Sequence, residues 1–472
     1  MKRGAFRELA GQTGYPTDNA NGSAFRARKG WDFRHFWVLV HRYAGLYMAA
    51  FLIVVGITGS LLAFYVELEG AINPHLHPAT RQNAEIDPAT LIMRAEALVP
   101  EAQANGISFS DGEAMATVSM GPRTDPATGK PYALGFDQLV LDRYTGEELG
   151  RREWGAISQG LINLMPFIYK LHYQLALGDV GIWLLGIAAL IWTLDCFVGF
   201  YLTLPVRRQS LSFRLSVTPA KAWVQSGLVV PALDSNLPWN DQESGAKPAS
   251  WLRKGSFWRR WKPAWLIKRS RLNFDLHRAG ALWLWAILLI FAWSSVYMNL
   301  WDTVYTAATR LVLDYHEPWT DLPKREKPLD NPVLDWRQAQ EIGTDLMARA
   351  AATQGFTIGH QVSLRLNREL GVYVYQVRSS RDIQDRHGRT QVLFDADTGL
   401  ERLLLLPSGQ YDGNTVTSWL YALHMGNVFG LPYRIFVCVL GLALTMLSVT
   451  GIIIWLRKRR AAHHQHARRL KG

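Results

Sequence analysis

Cysteine is almost absent from this chain: two residues among 472, Cys196 and Cys438. Both fall inside long apolar runs, so there is no disulfide framework and no C-x-x-C-H site for covalent cofactor attachment. Each reads as a small apolar filler. No G-x-G-x-x-G fingerprint stands at a strand-to-helix turn, which removes a built-in dinucleotide or flavin site. No Cys, His or acidic cluster has zinc-like spacing. Acids are also in short supply, 39 Asp and Glu against 51 Lys and Arg, for a formal charge of +12. That surplus sits beside the apolar runs, so it reads as anchoring at a bilayer surface, and no nucleic-acid partner is expected.

Apolar residues, by contrast, make up 49% of the chain, with 19 Trp. They collect in four runs: Tyr43 to Val66, Gly181 to Leu204, Ala279 to Leu300 and Ile435 to Leu456. Each meets the roughly 20 residues a helix needs to cross about 30 Å of hydrocarbon. Expected transmembrane helices therefore cover residues 36–66, 171–204, 273–301 and 421–457. Residues 1–34 are polar and basic, so the first span is expected to act as its own uncleaved insertion signal. Basic residues fix the orientation. Arg26, Arg28, Lys29 and Arg34 precede the first span, Arg207 and Arg208 follow the second, and "RKRRAAHHQHARRLKG" closes the chain. The N-terminus (1–35), the loop 205–272 and the tail 458–472 are thus expected in the cytoplasm, with 67–170 and 302–420 exported. The Trp-rich "FWRRWKPAW" in the cytoplasmic loop reads as interfacial aromatics with lipid-facing cations.

The two exported segments echo one another. "FDQLVLDRYTGEELGRREW" and "QVLFDADTGLERLLLL" both run an apolar strand into Asp-x-x-Thr-Gly, a hairpin signal. Asp142, Thr145 and Gly146 match Asp395, Thr398 and Gly399. The spans echo too: "LVHRYAGLYMAAFL" resembles "FDLHRAGALWLWAIL", and "YKLHYQLALGDVG" resembles "YALHMGNVFGLPYR". The pattern helix, exported domain, helix therefore occurs twice, as expected of an internal duplication.

His41, His172, His277 and His424 occupy equivalent places in that repeat. Each is expected at the N-terminal end of a span. Because spans alternate in direction, the four form two layers roughly 20–30 Å apart, set by the helical rise. One iron cannot draw ligands from both layers, but each same-side pair can hold one. Haem iron takes neutral imidazole axially, two imidazoles saturate it, and bundle cores are regular haem sites. Two non-covalent b haems are therefore expected: His41 with His277 on the cytoplasmic side, His172 with His424 on the exported side. Arg42, Arg278, Lys170 and Arg434 lie close enough in sequence to meet propionates. Gly45, Gly280, Gly178 and Gly430 are candidates for letting a flat ring approach the backbone.

Other candidates receive plainer readings. His35 reads as interfacial. His75, His77, His316, His360 and His387 read as surface residues of the exported loops, with His75 and His77 placed to assist metal capture, and His463, His464 and His466 as tail residues. Asp195, inside the second span, is costly in hydrocarbon and so a functional candidate, with an Arg, a hydroxyl or a proton path as its expected counterpart.

The motifs "HRYAGL", "LHYQLALGDVG", "FDLHRAGALW" and "LHMGNVFGLPYR", with the Asp-x-x-Thr-Gly hairpins between them, resemble PepSY-associated transmembrane proteins over about residues 31–457. The resemblance implies a mainly α membrane protein of the bacterial inner membrane, a four-helix bundle with two α+β PepSY-like domains in the periplasm. Some members are similar in outline to di-haem ferric-siderophore reductases, which implies His41, His172, His277 and His424 as haem ligands. It further implies a ferric siderophore as periplasmic substrate and electrons from an unidentified cytoplasmic donor or membrane quinol. Two other classes compete: a non-enzymatic PepSY regulatory protein, and a siderophore permease component, for which four spans make a poor path.

Overall fold

The computed structural model describes residues 33–81, 84–204 and 269–469. The expectations placed on Arg26, Arg28, Lys29, Arg207, Arg208 and the Trp-rich motif, and most of the loop 205–272, lie outside the described residues.

Among the described residues four helices are long and apolar enough to cross a membrane: α1 (Phe33–Leu62), α5 (Asp179–Thr203), α6 (Arg269–Asn299) and α11 (Gly430–Arg469). They pack in a ring, α1 against α5 and α11, α6 against α5 and α11, so α1 and α6 stand diagonally. The α1–α11 contact is a small-residue seam. A methyl added to Gly56 would lie 2.5 Å from Thr445 Oγ1 and 2.7 Å from the Gly441 carbonyl. Ser60 Oγ bridges the same seam to the Cys438 carbonyl at 2.8 Å. Gly56/Ser60 and Gly441/Thr445 are both small-xxx-small pairs, the pattern that lets helix backbones meet where lipid supplies no hydrophobic drive.

Two spans do not begin at their histidines, contrary to the sequence expectation. His172 ends a separate helix, α4 (Leu164–Gln174), and His424 ends another, α10 (Asp412–Met425). Short breaks divide these from α5 and α11. The breaks are made by left-handed backbone: Leu175, Ala176 and Gly178 in the first, Gly426, Phe429 and Gly430 in the second. Such a conformation cannot continue a right-handed helix, and glycine holds it at least cost. Gly178 and Gly430 therefore serve the corner of the chain.

Beyond one end of the bundle lies an eight-stranded antiparallel sheet. The first half has α2 (Tyr65–Ile72), α3 (Pro88–Leu98) and strands β1 (Ala102–Phe109), β2 (Met115–Pro122), β3 (Gln138–Asp142) and β4 (Glu148–Arg152). The second has short helices α7 (Thr306–Arg310) and α8 (Pro318–Asp321), then α9 (Trp336–Gln354) and strands β5 (Ile358–Asn367), β6 (Val372–Ser379), β7 (Thr390–Asp395) and β8 (Glu401–Leu405). Strand order is β4-β3-β2-β1-β5-β6-β7-β8. The segments 67–170 and 302–420 thus share one sheet, joined where β1 meets β5 at Gly106↔Arg365. Gly106, at φ 151°, permits that junction: an added Cβ would lie 2.6 Å from the Leu364 carbonyl.

The hairpin signals fold as hairpins. Asp142 Oδ1 accepts from the amides of Tyr144 and Thr145, and Asp395 Oδ1 accepts from those of Asp397 and Thr398. One sheet face is apolar and covered by α3 and α9, with Ile107, Val118, Leu139, Leu141, Leu364 and Phe394 nearly sealed from solvent. Asp87 with Pro88 starts α3, and an Asp335/Gln338 capping box starts α9. The other face turns toward the bundle and is largely polar: Ser108, Thr117, Gln138 and Arg152 line a cavity there.

Candidate functional site

The four histidines come together in two pairs, as their spacing suggested. His41 of α1 faces His277 of α6 with ring centres 6.3 Å apart, and His172 of α4 faces His424 of α10, also at 6.3 Å. An imidazole centre lies about 1.1 Å from its nitrogen and a nitrogen–metal bond is about 2.0 Å, so two rings on one metal axis have centres about 6.2 Å apart. Both pairs stand at that separation.

Hydrogen bonds engage one nitrogen of each ring. Each Nδ1 meets a partner: Asp195 for His41 (2.9 Å), Thr58 Oγ1 for His172 (2.9 Å), the Leu447 carbonyl for His277 (3.0 Å) and Ser294 Oγ for His424 (2.7 Å). A carboxylate and a carbonyl can only accept, so His41 and His277 carry their proton on Nδ1. The hydroxyls also reach carbonyls, Thr58 that of Val54 and Ser294 that of Phe291, and with the hydroxyls donating there the same tautomer fits His172 and His424. In that tautomer Nε2 is the nitrogen with a free lone pair. Fixing a ligand's tautomer through its second nitrogen is the usual support of a metal-bound histidine.

Thr58 lies 17 residues after His41, and Ser294 lies 17 after His277. At about 1.5 Å per residue that places the two layers about 25 Å apart along the helices. The sheet-side pair borders a cavity of about 500 Å3, which falls within the usual range for ligand pockets. Its bundle end is lined by apolar groups such as Phe51, Leu185, Trp192, Phe291 and Leu444. Its upper end is polar, with Glu69, His77, Glu113, Arg152, Arg386 and Arg434. Glu69 and Arg152 form a buried ion pair there at 2.6 Å. Glu69 Oε2 and His77 Nε2 are buried with no partner among the described residues, so two polar atoms on this wall stand ready for a ligand or water.

Several candidates hold places other than those expected. Arg434 is buried, paired with Glu67 and bonded to the Ala63 carbonyl, so it ties α11 to the α1–α2 corner. Lys170 lies over the Trp154 ring at 5.3 Å. Arg278 pairs with Asp275 at 3.1 Å, with its Nε buried and unbonded. Arg42 is half-buried. Arg434 still lines the cavity, and Arg152 and Arg386, which the sequence reading missed, line it beside Arg434. Other glycines lie against the imidazoles. Gly59 faces His172, Gly199 faces His41 and Gly451 faces His277, while an added Cβ at Gly45 meets open space and one at Gly280 meets Leu447.

The partner of Asp195 is His41 itself, where an Arg or a hydroxyl was expected. Among the loop histidines His75 and His360 are exposed, as expected of surface residues, whereas His77, His316 and His387 are half-buried. His77 meets Glu113 at 3.4 Å, His316 lies between Asp314 and Asp321, and His360 bonds Asp111 at 2.7 Å. Burial holds His387 below its usual pKa, with Asp111 and Glu113 pulling the other way. Burial alone would lift the Glu113 carboxyl, but its bond to His77, the charges of His77 and His387 and a bond from Ser110 together hold it low. No cluster of three or more metal-ligating side chains occurs among the described residues.

The model of the family described as the PepSY-associated TM region matches residues 38–458. The chain belongs to this family. Compared with the curated proteins, the sequence finds no match. The match of the PepSY-associated TM region runs through all four spans, both halves of the sheet and all four paired histidines.

Proposed function

We propose that this protein is a di-haem b oxidoreductase of the bacterial inner membrane, passing electrons outward to a periplasmic acceptor, a ferric siderophore. The observation that carries this reading is the pairing: two histidine pairs whose ring centres stand at one-metal separation, with every Nδ1 committed to a hydrogen bond. Haem, when bound, supplies reversible one-electron chemistry whose potential follows its ligands and surroundings. His41 and His277 would hold one such group and His172 and His424 the other. Two imidazoles on one iron would leave it no open site, which would favour electron transfer over oxygen chemistry. Apolar side chains surround the sheet-side pair, while Arg386, with Arg152 and Arg434 beside it, would offer counter-charge to propionates at the polar end.

The bundle is oriented with the sheet in the periplasm. Arg457, Lys458, Arg459 and Arg460, all exposed at the far end of α11, support this through the excess of cations on cytoplasmic ends. Electrons then enter near His41 and His277, from a cytoplasmic donor or quinol, and leave near His172 and His424. An internal duplication accounts for the matched spacings and for the mirrored strand order about the β1–β5 junction, each half bringing one PepSY-like unit. The siderophore follows from the family resemblance and from chemistry. Hard oxygen ligands grip Fe(III) more firmly than Fe(II), so adding one electron to the chelate loosens the iron.

The first test is optical. Purified protein from haem-replete cells should show a dithionite-reducible low-spin b spectrum with two haems per chain. A colourless preparation would leave the PepSY regulatory reading in its place. Oxidation of the reduced protein by a panel of ferric chelates then tests the acceptor.

A further inference from the structure

A second cavity, of about 610 Å3, lies on the same polar sheet face and shares no lining residue with the one around His172 and His424. Two arginines meet there. Arg365 of β5 pairs with Val374, and Gln376 of β6 pairs with Gln391 of β7. Arg389 immediately precedes β7 and lines the same cavity as Arg365 and Gln391. Both guanidiniums line the cavity.

Their charges are unequally balanced. Arg365 bonds the amide oxygen of Gln376 at 3.2 Å and reaches no carboxylate among the described residues. Arg389 lies over the Tyr421 ring at 4.3 Å, bonds the Tyr297 hydroxyl and has the Glu317 carboxylate near enough to favour its charge, without a direct ion pair among the described residues. Arg368, the third arginine on this wall, is occupied by Asn105 and the carbonyls of Ala104, Leu329 and Asp330. The two acids present are engaged: Glu317 accepts from the Tyr315 hydroxyl at 2.5 Å, and Glu369 lies 3.6 Å from Lys324. Burial and the neighbouring Arg389 both disfavour the charged form of Arg365. Two converging guanidiniums repel each other, and an anion between them removes that cost.

We propose that this cavity binds an organic anion, its carboxylate or phosphate held between Arg365 and Arg389. Trp319, Leu405 and Pro407 offer an apolar wall for its body, and Asn367, Gln391 and Asn414 offer neutral polar groups. The planar guanidinium fork fits carboxylate and phosphate oxygens in pairs, which an ammonium does not. The cavity floor includes Tyr297 of α6 and Thr417 of α10, so a lipid headgroup at the membrane surface and a soluble anion share this chemistry.

The test uses the full chain in detergent and in nanodiscs. Calorimetric titration with tricarballylate and with inorganic phosphate reads a soluble source. Native mass spectrometry after reconstitution with and without phosphatidylglycerol reads a lipid source. Arg365→Gln should weaken whichever signal the wild type gives by at least about tenfold. Arg365→Lys should recover only part of it, with the thermal unfolding midpoint of both variants close to wild type. A wild type that takes up neither probes nor anionic lipid would overturn the proposal. So would an Arg365→Gln protein that folds normally and binds as the wild type does.

Discussion

The far pair and the sheet-side pair are assembled from matching parts, yet differ in what holds their rings. His172 and His424 are each bonded by a hydroxyl, Thr58 and Ser294, at equivalent places on α1 and α6. His41 and His277 are not matched in this way. Asp195 lies four residues before Gly199, which faces His41, and Leu447 lies four before Gly451, which faces His277. At this one repeat-equivalent place a carboxylate stands against a leucine whose backbone carbonyl does the bonding. A carboxylate draws the Nδ1 proton harder than a carbonyl or hydroxyl and makes the imidazole a stronger donor to metal. In the proposed function, a stronger donor favours the ferric state, so the far haem should have the lower potential and electrons should run downhill to the sheet side.

The comparison breaks most sharply at the ligands. Replacing His172 or His424 with Ala should remove one haem of two and leave the spectrum of the other. His41→Ala or His277→Ala should do the converse. Pyridine-haemochrome counting against protein mass decides it, and loss of both haems, or of neither, would overturn two independent same-end pairs.

Next come the hydroxyls. Thr58→Val or Ser294→Ala leaves a buried Nδ1–H without its acceptor, a loss of about 1–3 kcal/mol. Support of this kind is worth about 10–100-fold in metal affinity. Haem should therefore be lost selectively from the sheet-side pair during dilution or apomyoglobin challenge, while the far pair keeps its occupancy. Equal loss from both would show that the layers are not independent.

Asp195→Asn keeps an acceptor for His41 but removes its charge. A hydrogen bond to a charged acceptor exceeds a neutral one by about 1 kcal/mol or more, and 1.4 kcal/mol corresponds to about 60 mV for one electron. The far haem should rise in potential by about 50 mV in a spectroelectrochemical titration, with the sheet-side haem unmoved. A shift confined to the sheet-side haem would reverse the assignment of Asp195.

How much of this was legible follows from which signals are periodic. The spans showed as apolar runs, and the four histidines as a repeat, because both depend on local composition and spacing. The hairpins showed because Asp142 and Asp395 must bond their own next amides, a purely local act. Joining of the two halves through β1 and β5 was not visible, since edge pairing leaves no local mark beyond Gly106. Nor were the breaks before α5 and α11: Leu175, Ala176 and Phe429 carry left-handed backbone that their side chains do not advertise. The partners of the rings were within reach. A search for small hydroxylated residues at one common offset after His41 and His277 would have found Thr58 and Ser294. Asp195 was noticed for its cost in hydrocarbon, but only the fold brings it to His41.

The smallest expected effect separates the layers by packing alone. A Cβ at Gly59 would lie 3.0 Å from His172 Cε1, closer than side chains ordinarily approach. At Gly199 the same atom would lie 3.5 Å from His41, and at Gly451 3.4 Å from His277, both ordinary contacts. Gly59→Ala must therefore push the His172 ring, stretching its 2.9 Å bond to Thr58 and tilting Nε2 away from His424. Gly199→Ala and Gly451→Ala need no such movement, because a methyl there fills space without displacing either ring. A broadened or shifted electron-paramagnetic g-maximum for the sheet-side haem in Gly59→Ala, beside unchanged spectra for the other two, is the expected pattern. Equal perturbation by all three would mean that close glycine contact is a general feature of the bundle and not a device for seating His172.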